Sequence, residues 1–148
     1  MTEDVDGSVR LTIYERFVED GKPPGVAEVA EGLAISADDA ELAFRRLADA
    51  RAIVLLPGTL EIWMAPPLSA VPTGFRVETP QGSHWGNCIW DGLGVVAMLG
   101  GNGTVETRCA DCQEPMTVRV QGAELVDRDG VAHFAVPAAR WWDNIGFT

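Results

Sequence analysis

Apolar positions near the start of the chain recur at helical spacing. Val9, Ile13 and Phe17 form one row with Tyr14 and Val18 beside it, which predicts a first helix from Ser8 to Asp20–Gly21. The acidic residues before Ser8 read as a frayed end. Pro23–Pro24 breaks the pattern, after which Val26, Val29, Ala30 and Leu33 repeat at i, i+3, i+4, i+7 and predict a short second helix. Ser36-Ala-Asp-Asp39 has the form of a capping box with Asp in its third place. It leads into Ala40, Ala43, Phe44, Leu47 and Ala48, a third helix.

The period then changes. Ile53–Leu56, Pro57–Gly58 and Leu60–Met64 read as a β-hairpin. Three short helices followed by a hairpin is the pattern of a winged helix-turn-helix, whose third helix would enter a DNA groove. Yet Ser36 to Arg51 holds four acids (Asp38, Asp39, Glu41, Asp49) against three arginines (Arg45, Arg46, Arg51), so the helix is expected to pack rather than to read bases. Pro66, Pro67 and Pro72 mark a linker and place a boundary between residues 1–66 and 67–148.

In the second half, Phe75–Thr79 alternates as a strand and Pro80–Gly82 turns it. Asn87 is a suitable N-cap for a helix with Cys88 at its first position, and Ile89, Trp90, Leu93, Val95, Val96, Ala97, Met98 and Leu99 make that helix apolar nearly all round, as expected of a buried one. Gly100–Gly103 is a loop in which positive φ comes easily. Thr104–Thr107, Met116–Val120, Glu124–Val126 and His133–Val136 read as short strands, with Asp127–Gly130 as a hairpin turn. The class is α+β: a helical first half, then an antiparallel sheet layered on a buried helix.

Composition narrows the functional classes. The 148 residues are 47% hydrophobic and 22% charged, ordinary for a globular chain, and no stretch approaches a membrane span. A net charge of −11 argues against nucleic acid as a partner, because phosphate binding draws on lysine and arginine. The N-terminus lacks the basic start and apolar core of a signal peptide, so a cytoplasmic address with reduced cysteines is expected. The pattern is silent on oligomeric state.

Candidate chemistry gathers between Ser83 and Cys112, which hold all three cysteines and one of two histidines. Cys88 and Asp91, three apart at a helix start, would share a face. The helix dipole and free N–H groups there are expected to lower the Cys88 pKa. Burial is expected to raise that of Asp91. The plainer alternative leaves Asp91 as a cap and Cys88 as a small core residue. A rival site takes His84, Cys88, Cys109 and Cys112 as four ligands of a structural zinc, and a Cys109–Cys112 redox pair is a further alternative. His133, among Val131, Ala132 and Phe134, reads as a hydrogen-bonded structural histidine, and Trp141 and Trp142 as closing the core.

The run Cys88-Ile-Trp-Asp91-Gly-Leu93, the Leu99-Gly100 break and the strand ending in Cys109 together resemble the core of the organomercurial lyases (alkylmercury lyases, MerB-type). Pro115–Val120 looks like that family's next strand and Ala135-Val-Pro137 like its later V-x-P segment, so the likeness covers roughly residues 60 to 148. It implies a MerB-like antiparallel core behind a winged-helix-like domain, and a site that cleaves a carbon–mercury bond by protonolysis. Cys88 would attack as thiolate, Asp91 would bind the metal and deliver the proton, and Cys109 would be structural. Both Cys88 and Asp91 would hold mercury transiently, as substrate and product, with no resident cofactor. The partner implied is a small organometallic compound. One departure stands out: the family places a second catalytic cysteine on a late strand, Trp141–Thr148 looks like the approach to it, and no cysteine follows Cys112. The resemblance therefore implies either a shortened chain or a relative without lyase activity, unless the Cys112 turn reaches Cys88. The alternatives are a non-catalytic thiol binder of mercury or another soft metal, and a zinc-stabilised structural or regulatory domain.

Overall fold

The computed structural model describes residues 2–147. Three helices come first: α1 (Thr2–Asp20), α2 (Val26–Leu33) and α3 (Ala37–Asp49). The α1 helix starts six residues before Ser8, so the acidic run expected to fray is helical from Thr2. One reason is long-range: Asp6 accepts from Arg46 Nε and Nη2 of α3, at 2.8 and 2.6 Å. Val9, Ile13 and Phe17 are fully buried against Ala43, Phe44 and Leu47, as their spacing predicts. Ser36 caps α3, its Oγ accepting from Asp39 N–H at 3.0 Å.

Eight strands follow: β1 (Val54–Leu55), β2 (Ile62–Ala65), β3 (Leu68–Ser69), β4 (Arg76–Thr79), β5 (Gly82–Gly86), β6 (Gly103–Arg108), β7 (Pro115–Gln121) and β8 (Glu124–Leu125). They form one antiparallel sheet in the order β1-β2-β3-β5-β4-β6-β7-β8. A fourth helix, α4 (Ile89–Met98), packs on β4, β5 and β6, and a 3₁₀ turn (Ala138–Asp143) lies near the end of the described chain.

Several expectations change. Pro66–Pro67 is not a linker but the two-residue turn between β2 and β3, whose partners are Ala65 and Leu68. Tyr14 Oη donates to the Pro66 carbonyl at 2.6 Å, which ties α1 to that turn. Strands β3 and β5 were not legible: β3 has two residues, and β5 holds two glycines and a serine, so only pairing with neighbours makes them strands. His133–Val136 is not a strand, and Asp127–Gly130 is not a hairpin turn. The β7–β8 turn falls instead at Gly122–Ala123, both at positive φ. His133 is exposed. The α4 helix buries only one face: Gly92, Val95 and Val96 are buried, while Trp90 is 67% and Met98 42% exposed.

Candidate functional site

The start of α4 is fixed by two close backbone approaches. A Cβ on Gly86, at the end of β5, would lie 2.6 Å from Gly92 N, and one on Gly92 would lie 3.0 Å from Val105 Cγ1 of β6. Only glycine lets strand, helix and sheet come so near. Asn87 then donates its side-chain amide to the carbonyls of Pro67 and Leu68, at 3.3 and 3.5 Å, and the chain turns into the helix.

Cys88, not Asn87, is the N-cap. Its backbone is extended (φ −151°, ψ −175°) and its Sγ accepts from Asp91 N–H at 3.4 Å. A thiol thus occupies the place usually held by a serine or aspartate oxygen. The expected fall in its pKa is reversed. Burial pushes the Cys88 thiol up and the Asp91 charge adds to the rise, while hydrogen bonds from the Asp91 and Trp90 backbone only partly oppose them. Helix-terminus stabilisation of a thiolate loses here to desolvation of the half-buried sulfur. Asp91 is also raised, by burial first, with the Asn87 amide pulling the other way. The resting pair therefore holds its protons more firmly than the same groups in water.

Cys88 and Asp91 line one cavity of about 200 Å³. Its other walls are Met64 and Pro66 from the β2–β3 corner, Asn87 just before the α4 cap, Trp90 from α4, and Trp141, Trp142 and Ile145 from the C-terminal segment. The tryptophan pair expected to close the core instead forms an aromatic wall over the thiol. Trp141 Nε1 donates to the Val136 carbonyl at 2.8 Å and its ring lies 5.3 Å from Phe134. Trp142 lies under the Arg51 guanidinium, 5.3 Å from it, a cation–π contact between the two halves of the chain. Gly146 lies against Trp63 of β2 so closely that a Cβ would come within 2.4 Å of the ring. Pattern reading missed Met64, Pro66 and Asn87 as lining residues, since they come from separate elements. The Trp-Trp pair was the one visible signal of an aromatic wall.

The four-residue zinc set is not assembled. The His84 ring is buried and its Nε2 bonds the Val18 carbonyl of α1 at 2.9 Å. Cys109 and Cys112 lie in the β6–β7 turn and do not line the cavity. Among the described residues no group of three or more His, Cys, Asp or Glu side chains is placed to hold a metal. Cys112, exposed in its turn, does not join Cys88 as a second cavity thiol. No described helix is long and apolar enough to cross a membrane.

Comparison with known proteins gives two findings. A family profile described as MerB, alkylmercury lyase, matches residues 68–148. A solved structure described as the mercury-bound form of MerB2 superposes with a TM-score of 0.66 at 20% sequence identity, over 84% of this chain and 59% of that one. The present chain thus spans about three-fifths of that structure's length. No curated protein matches the sequence.

Proposed function

Since this chain belongs to the alkylmercury lyase family, we propose that the cavity lined by Cys88 and Asp91 takes an organomercury compound and that these two residues carry its protonolysis. The observation that carries this reading is their sharing of one cavity, a soft sulfur ligand beside a carboxyl group with raised proton affinity. A soft thiolate selects a soft metal. A partly buried carboxyl can hold and pass a proton.

The steps balance with one proton on the pair. An R–Hg⁺ species meets the Cys88 thiol; a sulfur–mercury bond forms as the S–H bond breaks, and the proton passes to the Asp91 carboxylate. Mercury capture draws off the proton that burial otherwise holds on sulfur, since metal binding and thiol deprotonation are coupled. The Asp91 carboxyl then protonates the carbon, the carbon–mercury electron pair moves to the new C–H bond, and R–H leaves. Mercuric ion stays between the Cys88 sulfur and the Asp91 carboxylate as product. Met64, Trp90, Trp141 and Trp142 give the organic group an apolar and aromatic surface beside the carbon being protonated. Cys109, outside the cavity, takes no part in this chemistry.

A second reading has its own observation: Cys88 is the sole cysteine that lines the cavity among the described residues. One thiol is enough to capture a mercury compound without cleaving it. Gas-chromatographic detection of hydrocarbon released from an alkyl- or arylmercury chloride decides between them. Release that is lost in both Cys88→Ser and Asp91→Asn supports the lyase reading. Stoichiometric mercury binding through Cys88 with no hydrocarbon supports capture alone.

A further inference from the structure

The β6–β7 turn holds a pair of thiols that the cavity chemistry does not use. Cys109, half-buried, and Cys112, exposed, are both free thiols. Their turn is pinned: Cys109 N–H donates to the Glu114 carbonyl at 2.9 Å and Gln113 N–H to the Cys109 carbonyl at 2.9 Å. Arg108 Nη1 donates to the Gln113 carbonyl at 3.0 Å, and the Gln113 side chain to the Ala110 carbonyl at 3.3 Å. Cys109 and Cys112 thus stand three residues apart on one short turn closed by the Cys109–Glu114 and Gln113–Cys109 backbone hydrogen bonds, which brings both thiols onto the same loop. Hydrogen bonding from the Cys112 and Asp111 backbone holds the Cys109 thiol below its usual pKa.

We propose that Cys109 and Cys112 form a bis-thiolate site for one soft, two-coordinate d¹⁰ cation such as mercuric ion, separate from the Cys88 cavity. Binding exchanges two S–H bonds for two metal–sulfur bonds and releases two protons, with no change of oxidation state. Low coordination follows from the surroundings, because no group of three or more His, Cys, Asp or Glu is placed to hold a metal among the described residues. A tetrahedral ion such as zinc lacks its third and fourth protein ligands here, whereas a thiophilic ion that prefers two sulfurs is satisfied. Exposed Cys112 can turn about its side-chain bonds to set its sulfur opposite that of Cys109 across the ion.

The turn is also well placed in the fold. Gly103 of β6 approaches Val96 Cγ2, while Val105 approaches Gly92, so α4 runs antiparallel to β6. The end of α4 that carries Cys88 thus points toward the end of β6 from which the Cys109–Cys112 turn emerges. On the lyase reading, mercuric ion left at Cys88 has a two-thiol acceptor at the same end of the sheet. The site itself stands whether or not cleavage occurs.

The test uses the full chain carrying Cys88→Ser, fully reduced and kept without oxygen, titrated with mercuric chloride. Ultraviolet thiolate-to-metal absorption and released protons are followed together. The expected result is one ion and two protons per chain at an unchanged sedimentation coefficient, with no stoichiometric uptake of zinc. Adding Cys112→Ser, an exposed change checked by circular dichroism for an intact fold, is expected to leave one thiolate ligand and to lower the release to one proton per ion bound within a chain. Two protons per ion still released within one chain after Cys112→Ser, an ion bridging two chains in the Cys88→Ser protein, stoichiometric zinc, or no mercury uptake in Cys88→Ser would each overturn the site. Because Cys88 is absent throughout, failure of the lyase reading leaves this outcome unaffected.

Discussion

Asp91 is held where its ionised form is disfavoured, and that has opposite consequences for activity and for stability. Its raised pKa means that the folded state gives up this proton at higher pH than the unfolded chain does. The penalty is absent below the unfolded pKa and is complete above the folded one. Asp91→Asn is expected to raise stability at pH 7 by about 1 kcal/mol while abolishing hydrocarbon release, read by denaturant midpoint and by gas chromatography. The pH profile of kcat/KM should be a bell with both limbs displaced upward. Its acid limb, where Asp91 can no longer accept the thiol proton, lies above the ordinary carboxylate range. The alkaline limb, where the pair has no proton left to deliver, lies above the ordinary thiol value. An acid limb in the ordinary carboxylate range would count against Asp91 as the proton carrier.

At the scale of elements, the start of α4 depends on contact between Gly86 and Gly92 rather than on helix propensity. Gly86→Ala forces a methyl group against Gly92 N and must push the helix off β5. A loss of about 1–3 kcal/mol is expected, together with loss of mercury capture at Cys88, since the cavity wall moves with the helix. Retained stability and capture would mean that α4 is positioned by something else. For α3, by contrast, a local device suffices: Ser36→Ala removes the Oγ that accepts from Asp39 and should cost about 1 kcal/mol in thermal unfolding, with no effect on the cavity.

Across the whole molecule, the eight-stranded sheet runs without a break from the hairpin of the first half to the strands of the second. The His84–Val18 hydrogen bond and the Arg51–Trp142 contact tie the halves together as well. Urea unfolding should therefore give coincident transitions by tryptophan fluorescence and far-ultraviolet circular dichroism; two separated transitions would show that residues 1–66 fold as their own unit. The Asp6–Arg46 pair sets part of the acid response. Arg46 holds the Asp6 carboxyl below its usual value, so this contribution is present above the unfolded pKa and is lost as pH falls through the lower folded one. Asp6→Asn should shrink the loss of stability on acidification, measured by denaturant midpoints across the acid range.

Three helices, the capped start of α3, most of the strand pattern after Gly100 and the Cys88–Asp91 pair at a helix start can be read from residue order alone. Each is set by spacing of apolar residues or by a side chain's reach to backbone within one turn. Three-dimensional packing was needed to set which residue caps α4, which way the Cys88 pKa moves and that β3 and β5 are strands. It alone also brought Trp141 and Trp142 over the thiol. These depend on how much water is removed from a group and on which distant strand supplies its hydrogen bonds, and neither quantity is carried by neighbours in sequence. Local periodicity tells which side of a helix turns inward; the partners waiting there come from residues tens of positions away.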